Sequence, residues 1–444
     1  MSKQPQSSPQ QLPTIHRAAI LDLMKDPWRD DGGEDCLRYY RDGALVAGSD
    51  GSIVDHGSAA TILPRYPNAP VIVHEGCLIL PGLIDLHLHY PQLDLIGHPA
   101  PDLLTWLTRH TLPHERRFAN PAVARDGAEA FCHELLAYGT TTALIFSSSH
   151  ASATLTLAAC MAERGLRGIV GKCSMDRHVP PDLVTPAASE AGAIAELLQS
   201  WPRSPLVDFA LTPRYAPACS EELLAILGAL AADHPKAYIQ THHAESLGEV
   251  AWIGELYPKD ADYLAVYERF GLIRRRSILA HVIHASPSEL DRLAKREAGI
   301  AHCPTSNLFL GSGLFKFKKA AERGIAVGLG TDVGGGTSFS LWQTMNEAYK
   351  VSMLLGEALT PSQLLHAATR GAARALDRDD LGNFDKGRRA DFLVIDPSRH
   401  RLLRRRNILD ASPEEIMFAL IHHADDRIII RTYVEHRLVS AIDS

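Results

Sequence analysis

Between residues 83 and 331 one unit recurs eight times: a short apolar run followed by a helix-length stretch. The runs lie at about 83–89, 140–146, 167–173, 206–212, 237–242, 277–281, 299–303 and 325–331. Runs that are apolar on both faces are the mark of parallel strands covered by helices. Helical patterns such as 221–227 and 287–293 separate them. Eight strand–helix units over roughly 300 residues predict an α/β fold, a (β/α)8 TIM-like barrel spanning residues 81–376. A doubly wound sheet is the rival architecture. It would spread the strand ends along an open edge and not gather them in a ring.

The flanks have a different texture. Strand-like runs at 44–47 and 71–73 precede the turn residues Gly48-Ser49-Asp50-Gly51 and Glu75-Gly76. Similar runs return at 391–396 and 428–434. Strand-rich ends around a βα middle predict a small β-sandwich domain built from both termini, residues 14–80 and 377–444. The polar residues 1–13 are expected to form a disordered tail. No repeat of solenoid period is present.

A net charge of -7 argues against a nucleic-acid or anionic-membrane partner and favours a small, weakly charged substrate. The seven cysteines are scattered, odd in number and free of C-x-x-C spacing. That pattern predicts reduced thiols and neither a disulfide framework nor a thiolate metal site. With no apolar signal-like region and no run long enough to span a bilayer, a soluble cytoplasmic protein is expected.

Candidate chemistry sits at the ends of the strand-like runs: His87 and His89, His242 or its neighbour His243, His281, and Asp332. Alternation sends residues i and i+2 to the same face, so His87 and His89 aim at one spot. It also places Leu83 and Asp85 on that face, opposite Ile84, Leu86 and Leu88. Imidazoles and a carboxylate from separate strands suit a zinc site that activates water. Alternation alone does not choose between His242 and His243. Glu245 lies just beyond the strand end, where a carboxylate can reach over the site and shuttle protons. A lone strand-end histidine or aspartate is more often structural than catalytic; the matched positions argue otherwise here. His284 and His302 are read as structural.

Other chemistries find no support. The run Val333-Gly334-Gly335-Gly336-Thr337 lacks the ending of a phosphate loop and is read as tight packing at the mouth of the site. The H-x-E with P-C-x-x-C signature of the cytidine-type zinc deaminases is absent, as is a nucleophile elbow.

Pro81-Gly82-Leu83-Ile84-Asp85-Leu86-His87-Leu88-His89, His242-x-x-Glu245, Ala280-His281, His302-Cys303-Pro304-x-Ser306-Asn307 and Thr331-Asp332 resemble the amidohydrolase superfamily, in its single-metal deaminase branch. Branches with two metals use a carboxylated lysine on the fourth strand, and residues 206–212 contain no lysine. The resemblance selects His242 over His243. It implies His87, His89, His242, His281 and Asp332 as ligands of one Zn2+ per subunit, with Fe2+ as the alternative ion. Within the branch, Tyr90-Pro91-Gln92, Leu103-Leu104-x-Trp106-Leu107 running to Thr111-Leu112-Pro113-x-Glu115, and Thr212-Pro213-Arg214-Tyr215 are similar to the guanine deaminases.

That resemblance implies hydrolysis of guanine by water to xanthine and ammonia, by a homodimer. Glu245, Asp332 and His281 become the catalytic residues. Asp332 takes a proton from water, Glu245 protonates the ring and then the leaving amine, and His281 stabilises developing charge. Arg214 and Gln92 are expected to read the purine edge, and Tyr215 and Trp106 to stack or cover it. The alternatives are another single-metal hydrolase of the branch, acting on 8-oxoguanine, cytosine, an adenosine-type substrate or a triazine, and a catalytically silent scaffold. The first alternative would not need Arg214 and Gln92. A scaffold would not need a desolvated charged cluster.

Overall fold

The computed structural model describes residues 12–28 and 35–442. The tail expected at 1–13 therefore lies outside the described residues, except for Leu12 and Pro13. Strands β1 (Thr14–Leu23), β2 (Leu37–Ala47), β3 (Ile53–Ser58) and β4 (Val71–Pro81) open the chain. The middle contributes β5 (Leu83–His89), β6 (Thr140–Phe146), β7 (Arg167–Gly171), β8 (Cys173–Ser174), β9 (Val207–Pro213), β10 (Tyr238–His243), β11 (Ser277–His281), β12 (Gly299–His302) and β13 (Ala326–Leu329). β14 (Phe392–Ile395), β15 (Ile429–Val434) and β16 (Arg437–Ala441) end it.

The middle strands form a parallel ring in the order β5-β6-β7-β9-β10-β11-β12-β13, with β8 continuing β7 beside β9. Backbone bonds from Asp332 N to His87 O (2.8 Å) and from His89 N to Val333 O (2.7 Å) join the last segment to the first. This is the expected barrel. Its floor is an apolar cluster of alternate strand residues, among them Leu144, Ala210, Ile278 and Ala301, closed by Ala372 and Leu376. The intervening residues, such as Leu211, Ile239, Leu279 and Ile300, pack on the surrounding helices. The period-2 pattern of the strands thus separates barrel interior from helical shell.

Simple alternation fails in β5. Four residues of β5, from Asp85 to Leu88, lie opposite three of β6, from Ala143 to Ile145. Ile84 and Leu86 join the floor cluster. Asp85 therefore does not share one continuous face with His87 and His89, because a bulge changes the phase of the strand between them.

The flanking strands make a separate mixed sheet, β16-β15-β14-β4-β1-β2-β3. Its central strands are buried on both faces. Ala19, Leu21, Leu78, Leu80, Leu393 and Ile395 pack toward the barrel helices. Ala18, Ile20, Ile79, Phe392 and Val394 form a second core with Ile53 and Tyr433, which come from distant strands of the sheet. β4 passes directly into β5 through Gly82, where a Cβ would collide with the Thr141 side chain. Among the described residues no helix is long and apolar enough to cross a membrane.

Candidate active site

The C-terminal strand ends and an insertion after β5 enclose a cleft. The insertion consists of short helical turns from Tyr90 to Ala119, ahead of the helix Pro121–Ala137.

All five expected ligands meet at the base of this cleft. Asp332 Oδ1 lies 3.2 Å from His87 Nε2 and 3.3 Å from His89 Nε2. His89 Nε2 is 3.2 Å from both His87 Nε2 and His242 Nε2. His281 Nε2 stands 3.8 Å from Asp332 Oδ2 and 3.4 Å from Glu245 Oε2. Side-chain contacts separate the two histidines that sequence alone left open. His242 faces the cluster, while His243 turns to Glu289 (3.3 Å) and the Tyr263 ring.

The tautomers fit a cation. His242 Nδ1 donates to the Arg214 carbonyl at 2.5 Å, and His281 Nδ1 to Asn307 Oδ1 at 2.8 Å. With the proton held on Nδ1, each Nε2 presents a bare lone pair to the centre. The Nε2 of His281 is buried and has no hydrogen-bond partner. Converging lone pairs beside a carboxylate are the donor set of a nitrogen/oxygen metal site. His87, His242 and His281 form one group spaced to hold an ion; His87, His89 and Asp332 form another.

Burial sets the electrostatics. It lowers the His87 imidazole and takes His89 down to about 4, favouring the neutral ligand form. His242 falls well below the ordinary value through burial and its histidine neighbours. Burial alone would raise Asp332, but His87, His89 and His281 outweigh it and hold the carboxyl well below its usual range. Glu245 goes the other way: burial, then Asp332 and Glu249, push it well above that range. Two carboxyl groups in one cleft are thus set for opposite proton roles.

Supporting contacts fix the strand ends. Asp85 accepts from the His87 N–H (3.1 Å), the Thr331 N–H (3.1 Å) and the Thr331 hydroxyl (2.6 Å). Glu249 closes a capping box with Ser246 and accepts the Glu245 N–H at 2.9 Å. Ser312 Oγ donates to Glu245 Oε1 at 3.3 Å. Ala244, His281, Val282 and Asp332 all occupy the left-handed region, with φ of 51°, 69°, 55° and 51°. Such strain concentrates where a surrounding framework holds functional groups in place. A Cβ at Gly334 or Gly336 would collide with backbone at Gln92 or Thr331, which accounts for the glycine run.

Above the cluster, Gln92, Trp106, Arg214 and Tyr215 line the cleft. Trp106 donates its indole N–H to the His98 carbonyl at 3.0 Å. Tyr215 packs with Leu112 and Met175. Arg214 Nη1 and Gln92 Nε2 both donate to Glu115, at 2.7 Å each. Sequence reasoning assigned no part to Glu115, Asn307 or Glu249, and put Asp85 on the ligand face. Their neighbours were legible as motifs, but their contacts are made across the fold. His302 lies at a tilt to the Phe315 ring, and His284 bonds the Ser312 carbonyl; neither is among the groups spaced to hold an ion.

Residues 78–439 match the amidohydrolase family. The chain is 38% identical over 425 residues to the Escherichia coli (strain K12) protein named guanine deaminase, covering 95% of this chain and 97% of that one. The solved structure of E. coli guanine deaminase superposes with a TM-score of 0.93, covering 97% of this chain and 100% of that one. A C. acetobutylicum guanine deaminase, solved with guanine bound in the active site, is 29% identical, with a TM-score of 0.88 and coverage of 96% and 99%.

Proposed function

Because the chain belongs to the amidohydrolase family, we propose that it is a metal-dependent hydrolase converting guanine and water to xanthine and ammonia. One observation carries the reading. A single cleft holds both a buried imidazole–carboxylate cluster and an arginine–glutamine pair anchored on a shared carboxylate. The guanine deaminase relatives support the same substrate.

His87, His89, His242, His281 and Asp332 would hold one divalent ion, zinc in our reading with iron as the alternative. Such an ion, when bound, brings the pKa of water from about 15.7 to near 7 and so supplies a nucleophile at neutral pH. Asp332, held in its ionised form, is the base that accepts a proton from the attacking water. Glu245, held toward its protonated form, donates to the ring nitrogen beside the carbon that carries the exocyclic amine. That carbon becomes electrophilic and its bond to oxygen forms. The now ionised Glu245 takes the hydroxyl proton of the adduct and passes it to the amine. The carbon–nitrogen bond breaks as ammonia leaves and the keto oxygen forms, and the proton held on Asp332 restores Glu245. His281, beside Glu245, stabilises charge developing at the tetrahedral centre.

Arg214 donates to the 6-keto oxygen, and Gln92 offers its remaining N–H and lone pair to the same base. Adenine presents an amine where Arg214 requires an acceptor, leaving a buried donor unpaired. Tyr215 and Trp106 supply the walls of the cleft. A homodimer in the cytoplasm completes the proposal, and the buried Cys77, Cys132, Cys160, Cys173, Cys219 and Cys303 are free thiols, as suits a reducing compartment.

Ammonia release measured across guanine, adenine, cytosine and 8-oxoguanine tests the reading. Guanine is expected to exceed adenine in kcat/KM by a factor on the order of 10⁴. Preference for another of these heterocycles would overturn the substrate assignment.

A further inference from the structure

We propose that Glu115 is the positioning residue for base recognition: one buried carboxylate orients both Gln92 and Arg214, and through them sets the preference for a keto purine. The inference rests on guanine being the substrate.

Glu115 is fully buried, with 0% exposure, at the end of the turn Leu112–Glu115 in the insertion over the barrel. Its two oxygens divide the work. Oε1 accepts from Gln92 Nε2 and Oε2 accepts from Arg214 Nη1, both at 2.7 Å. Gln92 follows β5, and Arg214 follows β9. Two turns of the insertion and the loop after β9 therefore meet on one carboxylate. Glu115 is not part of the cleft wall, whereas Gln92 and Arg214 are. It acts through those two side chains and does not touch the base.

The chemistry explains why a carboxylate stands there. An ionised carboxylate only accepts hydrogen bonds, so the Gln92 amide must turn its NH2 toward Glu115. Its carbonyl oxygen then faces the Gly334 N–H, 3.3 Å away. One N–H and one lone pair remain for the base, in a fixed order. Arg214 spends one N–H on Glu115 and keeps others for the cleft. Burial works against its charge, but Glu115 outweighs burial and keeps the guanidinium protonated. The negative partner also offsets that charge, so the cleft offers a directed donor for a neutral keto oxygen and not a bare cation. A glutamine at 115 would point one NH2 at either Arg214 or Gln92, setting donor against donor. An aspartate keeps the charge but is shorter by one methylene and cannot span both.

The test uses Glu115→Gln and Glu115→Asp in metal-replete enzyme, with fold and metal content checked. Two substrates are compared: guanine, and 2-aminopurine, which keeps the ring and the amine but lacks the keto group. For Glu115→Gln we expect kcat/KM on guanine to fall about 10- to 100-fold, the scale of a lost charge-assisted hydrogen bond. The value for 2-aminopurine, or its inhibition constant where turnover is slow, should move less than about threefold. Adding Glu115→Gln to a variant that already carries Arg214→Ala and Gln92→Ala should cost less than about threefold further, because the carboxylate works through those two side chains. An equal fall on both substrates, or a further full loss in the triple variant, would overturn the proposal. If Glu115→Gln does not fold, Glu115→Asp carries the same comparison of substrates. Wild-type enzyme that ignores guanine would instead refute the functional reading on which this inference stands.

Discussion

Replacing Arg214 with alanine separates three roles of one residue. Its side chain is buried and pairs with Glu115 at 2.7 Å. Its carbonyl oxygen, by contrast, fixes the tautomer of His242, and its N–H donates to the Ser174 carbonyl at 3.1 Å. Truncation at Cβ removes the guanidinium and leaves both backbone contacts. Metal content should therefore stay at the wild-type level. Stability should not. Glu115 keeps its Gln92 contact but loses its cation while still buried, a situation that costs about 3–5 kcal/mol. Adding Glu115→Gln removes the orphaned charge and should recover a large part of that loss without restoring turnover. Guanine kcat/KM should fall by about 10² to 10⁴, since a base-reading donor is gone. Urea unfolding, metal analysis and xanthine formation measure the three effects on one preparation. Turnover within about threefold of wild type would refute the recognition role. Loss of metal would refute the claim that only the backbone of Arg214 supports His242.

Glu245→Gln should retain metal while turnover drops by about 10² to 10⁴, the usual share of a positioned proton donor. Metal analysis and ammonia release check it, and near-normal turnover would show that another group moves the protons. A pH prediction concerns the β sheet far from the cleft. His16 lies between His74 (3.0 Å) and His436 (3.1 Å), and burial, then His74, lowers it from 6.5 to about 3. Because the folded value is the lower one, the unfolded chain takes up the proton first. Stability is therefore lost as pH falls below 6.5, down to about 3. The slope is about 1.4 kcal/mol per pH unit for one proton. His16→Gln should shallow the pH dependence of urea stability between pH 6.5 and 5 by about that amount, and parallel slopes would contradict the assignment.

Buried parallel strands are short apolar runs, which is why the eight barrel segments could be read from sequence to within a residue or two at most ends. His87 and His89 were legible for the same reason, being polar residues where only apolar ones belong. Phase was harder. The bulge between Asp85 and Leu88 has no sequence mark, so Asp85 was placed on the wrong face. The choice between His242 and His243 depends on which face of β10 lines the barrel, which is a tertiary property. Glu115 was hidden for a similar reason. It sits in irregular turns without periodicity, and its meaning comes from Arg214, a partner 99 residues away.

The most direct test of the central claim is guanine-dependent ammonia release during removal and return of the metal. Bound zinc or iron should approach one ion per chain, activity should fall in step with its removal by a chelator, and re-addition should restore it. Protein stripped of metal that still deaminates guanine at the full rate would contradict the account.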